Sequence, residues 1–372
     1  MVVAASVVVA VGTATGLMSA VGDGRGADEA RPEATSSPRL EPLPLVPSPS
    51  PSATRSPSPT AGPGKKAGPT PSASEAGKKR RTAPVSARLY RHPDSRVLDW
   101  VRANPDDPRR AVIESRIAGR PAAVWFADYS PDSITSRVRA VVSGGAAQGR
   151  VPVLVPYAVP DRDCGGHSQG GAPDLAAYDA WIDRFAAGLG GGEAIVILEP
   201  DAIAQSECLS AGQRADRFAS LARAGRVLKG AGPRVRVYFD AGHSGWHAPD
   251  RQAALLRQAG AASAASSDGI FSNVSNFHGT ADEVAYDRAV LDALGGPSSL
   301  GAVIDTSRNG NGAPSDGEWC DPAGRKLGRT PTLSTGEVGI DAYLWVKLPG
   351  ESDGCKGAPG TFTPSYAYDL AR

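Results

Sequence analysis

From about residue 86 onward, short apolar runs alternate with longer segments in which apolar residues recur at helical spacing. The runs are AVWFA (123–127), VPVLVPYA (151–158), AIVILEP (194–200), VRVYFDA (235–241), GIFSNVSNF (269–277), GAVIDTS (301–307) and AYLWVKL (342–348). Each has the length and β-branched content of a strand buried on both faces. Helix-like segments lie between them at 131–147, 174–188, 211–229, 246–258 and 280–294. SPDSITSRVRAVVSGG opens on Ser and Asp and ends on Gly, as a capped helix does. Strands alternating with helices mean repeated βαβ units and a parallel sheet. Seven such strands fit a closed, TIM-like (β/α) barrel better than an open doubly wound sheet. No GxGxxG follows the first strand, which argues against a dinucleotide fold.

Polar residues gather where the runs end. Tyr157, Arg162 and Asp163 follow the second, and Glu199 and Asp201 close the third. Asp240 and His243 close the fourth, with Asn273 and Asn276 near the end of the fifth. Asp305 and Arg308 follow the sixth, and Lys347, Glu351 and Asp353 the seventh. In a β/α barrel the C-terminal strand ends converge on one mouth, so these groups form a ring.

The first 85 residues read differently. MVVAASVVVAVGTATGLMSAVG is apolar and rich in small residues, and lacks the basic start of a standard signal peptide. Residues 1–30 are expected to be a signal- or anchor-like segment: either the chain is exported, or this segment tethers it to a membrane or cell surface. Residues 31–85 are dominated by Pro, Ser, Ala, Gly and Thr and have no apolar periodicity, which is the composition of a disordered linker. Residues 86–372 are then one catalytic domain. The net charge of +1 over 372 residues gives no general attraction to nucleic acid. The four cysteines, Cys164, Cys208, Cys320 and Cys355, are even in number and lack CxxC spacing. In an exported chain they suggest two disulfides, with three connectivities open.

The ring is rich in carboxylates and poor in nucleophiles, and no GxSxG elbow is present. His243 and His247 have i,i+4 spacing but lack the Glu of HExxH. No metal site and no cofactor are therefore expected; His243 reads as a hydrogen-bonding residue at the mouth and His247 as a surface residue at a helix start. Clustered carboxylates beside aromatic rings suit sugar chemistry. One acid protonates the leaving oxygen while a second group handles water or the developing positive charge, and crowding keeps one carboxyl protonated. Indole rings pack on sugar C–H faces. Trp125, Trp246 and Trp319 fall at strand ends, whereas Trp100, Trp181 and Trp345 read as core.

VPYAVPDRDCGGHSQGG (155–171) and IVILEPDAIA (195–204) resemble the two signature motifs of glycoside hydrolase family 6, which contains endo-β-1,4-glucanases and cellobiohydrolases. YFDAGHSGW (238–246), NVSNF (273–277), DTSRNGNG (305–312), EWCDPAGRKLG (318–328) and LWVKLPGESDGC (344–355) follow in the family order. The resemblance covers 86–372 and includes no cellulose-binding module.

It implies a distorted β/α barrel, net inversion at the anomeric carbon, and a cellulose or related β-glucan substrate. Asp201 maps to the general acid and Asp163 to the neighbour that raises its pKa. Asp353 maps to the candidate base, acting through a chain of waters, one of which Ser168 would hold. Tyr157 would crowd the sugar at the point of cleavage, and Arg162 would orient the acid pair. Asp240, His243, Asn276, Lys347 and Glu351 would bind hydroxyls, and Trp125, Trp246 and Trp319 would stack on sugars. Glu199 reads as structural, and Asp305 with Arg308 as an ion pair at the barrel end. The family's disulfides map to Cys164–Cys208 and Cys320–Cys355. Both cysteine-bounded segments are short beside those of the cellobiohydrolases, which implies an open cleft and endo-cleavage; a monomer is the default expectation. Two alternatives remain: a hydrolase of another β-glucan, and a carbohydrate-binding protein without activity on the same scaffold. Intact Asp163, Asp201 and Asp353 argue against the second.

Overall fold

The computed structural model describes residues 88–372; the apolar segment and linker expected over 1–85 lie outside them. Seven parallel strands lie in sequence order in one sheet: β1 (Val124–Phe126), β2 (Val153–Pro156), β3 (Ala194–Leu198), β4 (Val235–Asp240), β5 (Gly269–Ser272), β6 (Gly301–Asp305) and β7 (Ile340–Leu344). Helices α3 (Ile134–Ala147), α4 (Leu175–Leu189), α5 (Ala211–Gly230), α6 (Pro249–Gln258) and α7 (Thr280–Leu294) cross between them. The expected helices match to within about three residues, the usual uncertainty of helix ends. Asp174 caps α4 through the Ala177 amide, and Ser210 with Gln213 forms a capping box on α5.

Period-two alternation sorts the strand residues. Val155, Ile195, Ile197, Tyr238, Phe271, Val303 and Leu344 point inward and pack together. Leu154, Val196, Leu198, Val237, Phe239, Ile270 and Ile304 point outward under the helices. Both faces are buried, which is why the runs are apolar throughout.

The expected distorted TIM-like (β/α) barrel of seven parallel strands is present, but it is not closed. No ladder joins β1 to β7. Ala123 N–H donates to the Trp345 carbonyl at 2.9 Å, and the Trp125 indole N–H to that of Val346 at 2.7 Å. The sheet is a curled, incomplete barrel with a seam. Three further helices, α1 (Arg96–Ala103), α2 (Arg110–Ile113) and α8 (Pro364–Ala371), together with a π turn at Glu114–Ala118, cover that seam around Trp345. Among the described residues no helix is long and apolar enough to cross a membrane.

Candidate active site

The strand ends open into one cleft of about 1100 Å³. It is lined by Trp125, Tyr157, Arg162, Asp163, Ser168, Asp201, His243, Trp246, Asn276, Trp319, Lys347, Glu351 and Asp353. Every residue singled out for catalysis or sugar binding therefore lies on one cleft, except Asp240.

Asp201 sits just past β3 in the left-handed region (φ 70°), as does Glu199 (φ 48°). Period-two alternation would turn both side chains the same way; these left-handed residues break it, and the two carboxylates diverge. Glu199 is fully buried and its carboxylate accepts from the Ala158 and Val159 amides at 2.9–3.0 Å. Burial pushes it up to about 6. Asp201 turns to the cleft. Burial first, then the charges of Asp240 and Asp163, hold its carboxyl well above the usual carboxylate range, while Lys347 pulls the other way.

Asp240 does not reach the cleft and cannot bind sugar hydroxyls as expected. It is buried, and its carboxylate accepts from the amides of Ile203, Ala204 and Gly242 at 2.9–3.2 Å. It thus anchors the turn that presents Asp201. Arg162 is corrected likewise. Its guanidinium donates to the carbonyls of Ser168, Ala127 and Tyr157 and lies 4.5 Å from the Tyr157 ring. It holds the loop rather than the carboxylates. Asp163 (φ 60°) accepts from the Ser168 amide at 2.6 Å. A Cβ on Gly166 would lie 2.5 Å from this carboxylate, so any larger residue there would have to displace the Asp163 side chain. Left-handed non-glycine residues concentrated at such a mouth mark strain held by the surrounding fold.

Asp353 is buried between two cations: Arg308 Nη1 at 2.7 Å from Oδ2 and Lys347 Nζ at 2.9 Å from Oδ1. The Asp321 amide adds a contact at 3.1 Å. The expected Asp305–Arg308 ion pair is absent. Asp305 instead accepts from the amides of Ser307 and Lys347, both at 2.9 Å, while Arg308 reaches across to Asp353 and to the Ser275 carbonyl.

Trp125 is half-buried, edge-on to Tyr157 at 5.3 Å. Trp319 is 51% exposed and 5.8 Å from His167. His243 stacks on His278 at 4.2 Å, and burial, then His278 and His247, pull it down to about 3. His247 is buried, not a surface residue; its Nε2 lies 3.0 Å from the Ala204 carbonyl. Asn276 donates to the Val274 carbonyl at 3.1 Å. Burial pushes Glu351 up to about 7. The disulfides Cys164–Cys208 and Cys320–Cys355 are both present. Each pins a cleft loop, contributing about 4 kcal/mol by loop closure. His167 also lies beside Cys320 and Cys355, but their sulfurs are bonded to each other and are not metal ligands.

The cleft is also lined by His278, Arg91, His92, Arg96 and Arg120, which the sequence reading did not select. Only His278 carried a usable signal, one residue past NVSNF; Arg91 and His92 precede α1, Arg96 opens it and Arg120 follows the π turn, both short elements that the hydrophobic pattern did not reveal.

A curled parallel barrel whose mouth holds one high-pKa carboxyl, a second carboxylate clamped by cations, and flanking indoles defines an acid–base glycosidase. Residues 85–367 match glycosyl hydrolases family 6, and the chain belongs to that family. It is 52% identical over 291 residues to Endoglucanase 1 of Streptomyces sp. (strain KSM-9), covering 78% of this chain and 79% of that one. It is 50% identical over 284 residues to Endoglucanase A of Thermobispora bispora, covering 76% of this chain and 61% of that longer protein. The solved endoglucanase Cel6 of Mycobacterium tuberculosis, in complex with a thio-linked cellobiosyl cellobioside, superposes with a TM-score of 0.71 at 38% identity. That match covers 77% of this chain and 97% of that one.

Proposed function

We propose that this chain hydrolyses internal β-1,4-glucosidic bonds of cellulose or a related β-glucan with inversion of configuration. The observation that carries the reading is Asp201: a carboxyl on the cleft wall, kept protonated by burial and by Asp240 and Asp163. It donates its proton to the leaving glycosidic oxygen. Asp163 and the Tyr157 ring face the charge that develops on the sugar. Both Asp353 oxygens are already engaged, which suits a base acting through water held near Ser168. Water attacks the anomeric carbon opposite the leaving group, one proton leaves it toward Asp353, and the product is the inverted sugar. Trp125, Trp246 and Trp319 stack on neighbouring sugars. The shortness of both disulfide-bounded segments supports an open cleft and mid-chain binding. Two disulfides suit an oxidising compartment and support export.

The test uses the full chain on neutral hydroxyethylcellulose, following viscosity and reducing ends together, beside Asp201→Ala. A fast viscosity fall with few new ends, reduced about 10²–10⁴-fold in the variant, is the expected result. Reducing ends rising in step with viscosity loss would reject endo-cleavage, and an active variant would reject Asp201 as the acid.

A further inference from the structure

The end of the cleft beside β1 and β7 carries charge that cleavage of a neutral glucan does not require. Arg91, His92, Arg96 and Arg120 line it, near Lys347 and Glu351. The three arginines are exposed, and none is ion-paired among the described residues. Arg91 Nη1 donates to the Ala118 carbonyl at 3.3 Å, two residues before Arg120, which places Arg91 and Arg120 on one wall. Arg96 is near enough to Glu351 to pull against the upward shift of that carboxyl.

The opposing charges are weak. Asp353 is held by both Arg308 and Lys347, so this group adds no net negative charge. Asp94 sits exposed against His92, while Asp128 lies 3.9 Å from Arg137. Glu351, at about 7, carries only part of a negative charge near neutrality. Helix stability does not account for Arg96 either: it is the first residue of α1, where a cation opposes the helix dipole. Neutral sugars need hydroxyl partners and aromatic faces, which the rest of the cleft supplies. Unpaired guanidinium groups on a concave wall are suited to carboxylate and phosphate, and their field is focused by that wall.

We propose that the end of the cleft formed by Arg91, Arg96 and Arg120 is a subsite for an acidic substituent on the glucan chain. It rests on the glucan-cleaving reading and extends its substrate class to β-1,4-glucans bearing carboxylate or phosphate groups. The arginines act on capture and binding, not on bond cleavage. Their effect falls in KM and is screened by salt, because the groups are exposed.

The test compares wild-type full chain with Arg91→Gln/Arg96→Gln/Arg120→Gln on carboxymethylcellulose and hydroxyethylcellulose of matched length, at low and high salt. The expected result at low salt is a KM for the anionic polymer raised about tenfold, equivalent to about 1.4 kcal/mol, with kcat unchanged and both constants for the neutral polymer unchanged. High salt should remove the wild-type preference, and Arg96→Lys should retain it. Further arms with C6-carboxylated and phosphorylated cellulose distinguish the two anions. An equal KM change on both polymers, or a wild-type KM on the anionic polymer indifferent to salt, overturns the subsite while leaving glucan cleavage standing. Cleavage of neither polymer by the wild type overturns the parent reading and this one with it.

Discussion

The Arg308–Asp353 pair separates what holds the cleft together from what acts in it. Arg308 is fully buried and bonds Asp353 at 2.7 Å, with further contacts to Tyr366 Oη and the Ser275 carbonyl and its guanidinium 4.4 Å from the Phe277 ring. In Arg308→Met, Asp353 keeps only Lys347 and the Asp321 amide. Removing one partner of a buried pair costs about 3–5 kcal/mol, and the Ser275 carbonyl left without its donor adds about 1 kcal/mol. Asp353→Asn leaves the fully buried Arg308 and the nearly buried Lys347 without their shared anion, a loss of the same order. In the double variant Arg308→Met/Asp353→Asn the fully buried cation is gone, and only Lys347 is left without its anion. Its stability should exceed the additive expectation by about 2 kcal/mol, a coupling typical of residues in contact. Urea midpoints of the four proteins give the cycle, and turnover on hydroxyethylcellulose gives the second readout. Activity should be lost in both variants that carry Asp353→Asn, although the double variant is folded. Strictly additive stabilities would refute the pairing argument. Activity returning in the double variant would refute any proton-transfer role for Asp353 and leave it a structural anchor.

Two further outcomes rest on buried carboxylates. Asp163→Asn removes a negative charge that helps hold Asp201 protonated, so the alkaline limb of kcat/KM should move to lower pH; a limb that stays put or moves up counts against the pairing. Glu283 and Asp287 are fully buried one turn apart on α7, with Glu283 Oε2 and Asp287 Oδ1 unpartnered and both groups raised by burial. A carboxyl raised in the folded state contributes stability present below its unfolded pKa and lost as pH rises through its folded pKa. Asp287→Asn should therefore be stabilising, increasingly so at pH above the unfolded carboxylate range; urea midpoints at acid and mildly alkaline pH check this, and a uniform loss at both contradicts it.

The strands were legible because both faces of a parallel barrel are apolar, and the long helices because each turns one stripe to the sheet. Three short helices were not. α1, α2 and α8 pack on one another around Trp345 rather than on the sheet, so no strand–helix rhythm announces them. Strand-end position brought Asp201, Asp163 and Asp353 to one mouth, but it misplaced Asp240. A residue at a strand's last position can turn its carboxylate under the neighbouring strand's loop, where the Ile203 and Ala204 amides wait for an acceptor. Arg308 was matched with its sequence neighbour Asp305, whereas curvature brings it to Asp353, 45 residues away. Spacing along a chain does not encode which strand ends face each other across a curled sheet.

The two cysteine ties also set an order for making the enzyme. Cys164 meets its partner 44 residues later, once β3 has been synthesised. Cys320 must wait for Cys355, and the Asp353 loop packs beside the segment leading into α8, which follows it in the sequence. A nascent or prematurely terminated chain can hold the acid loop without the opposite wall. The wall carrying Asp353 is thus completed after the wall carrying Asp163 and Asp201, and products truncated before Cys355 carry half a site that cannot turn over.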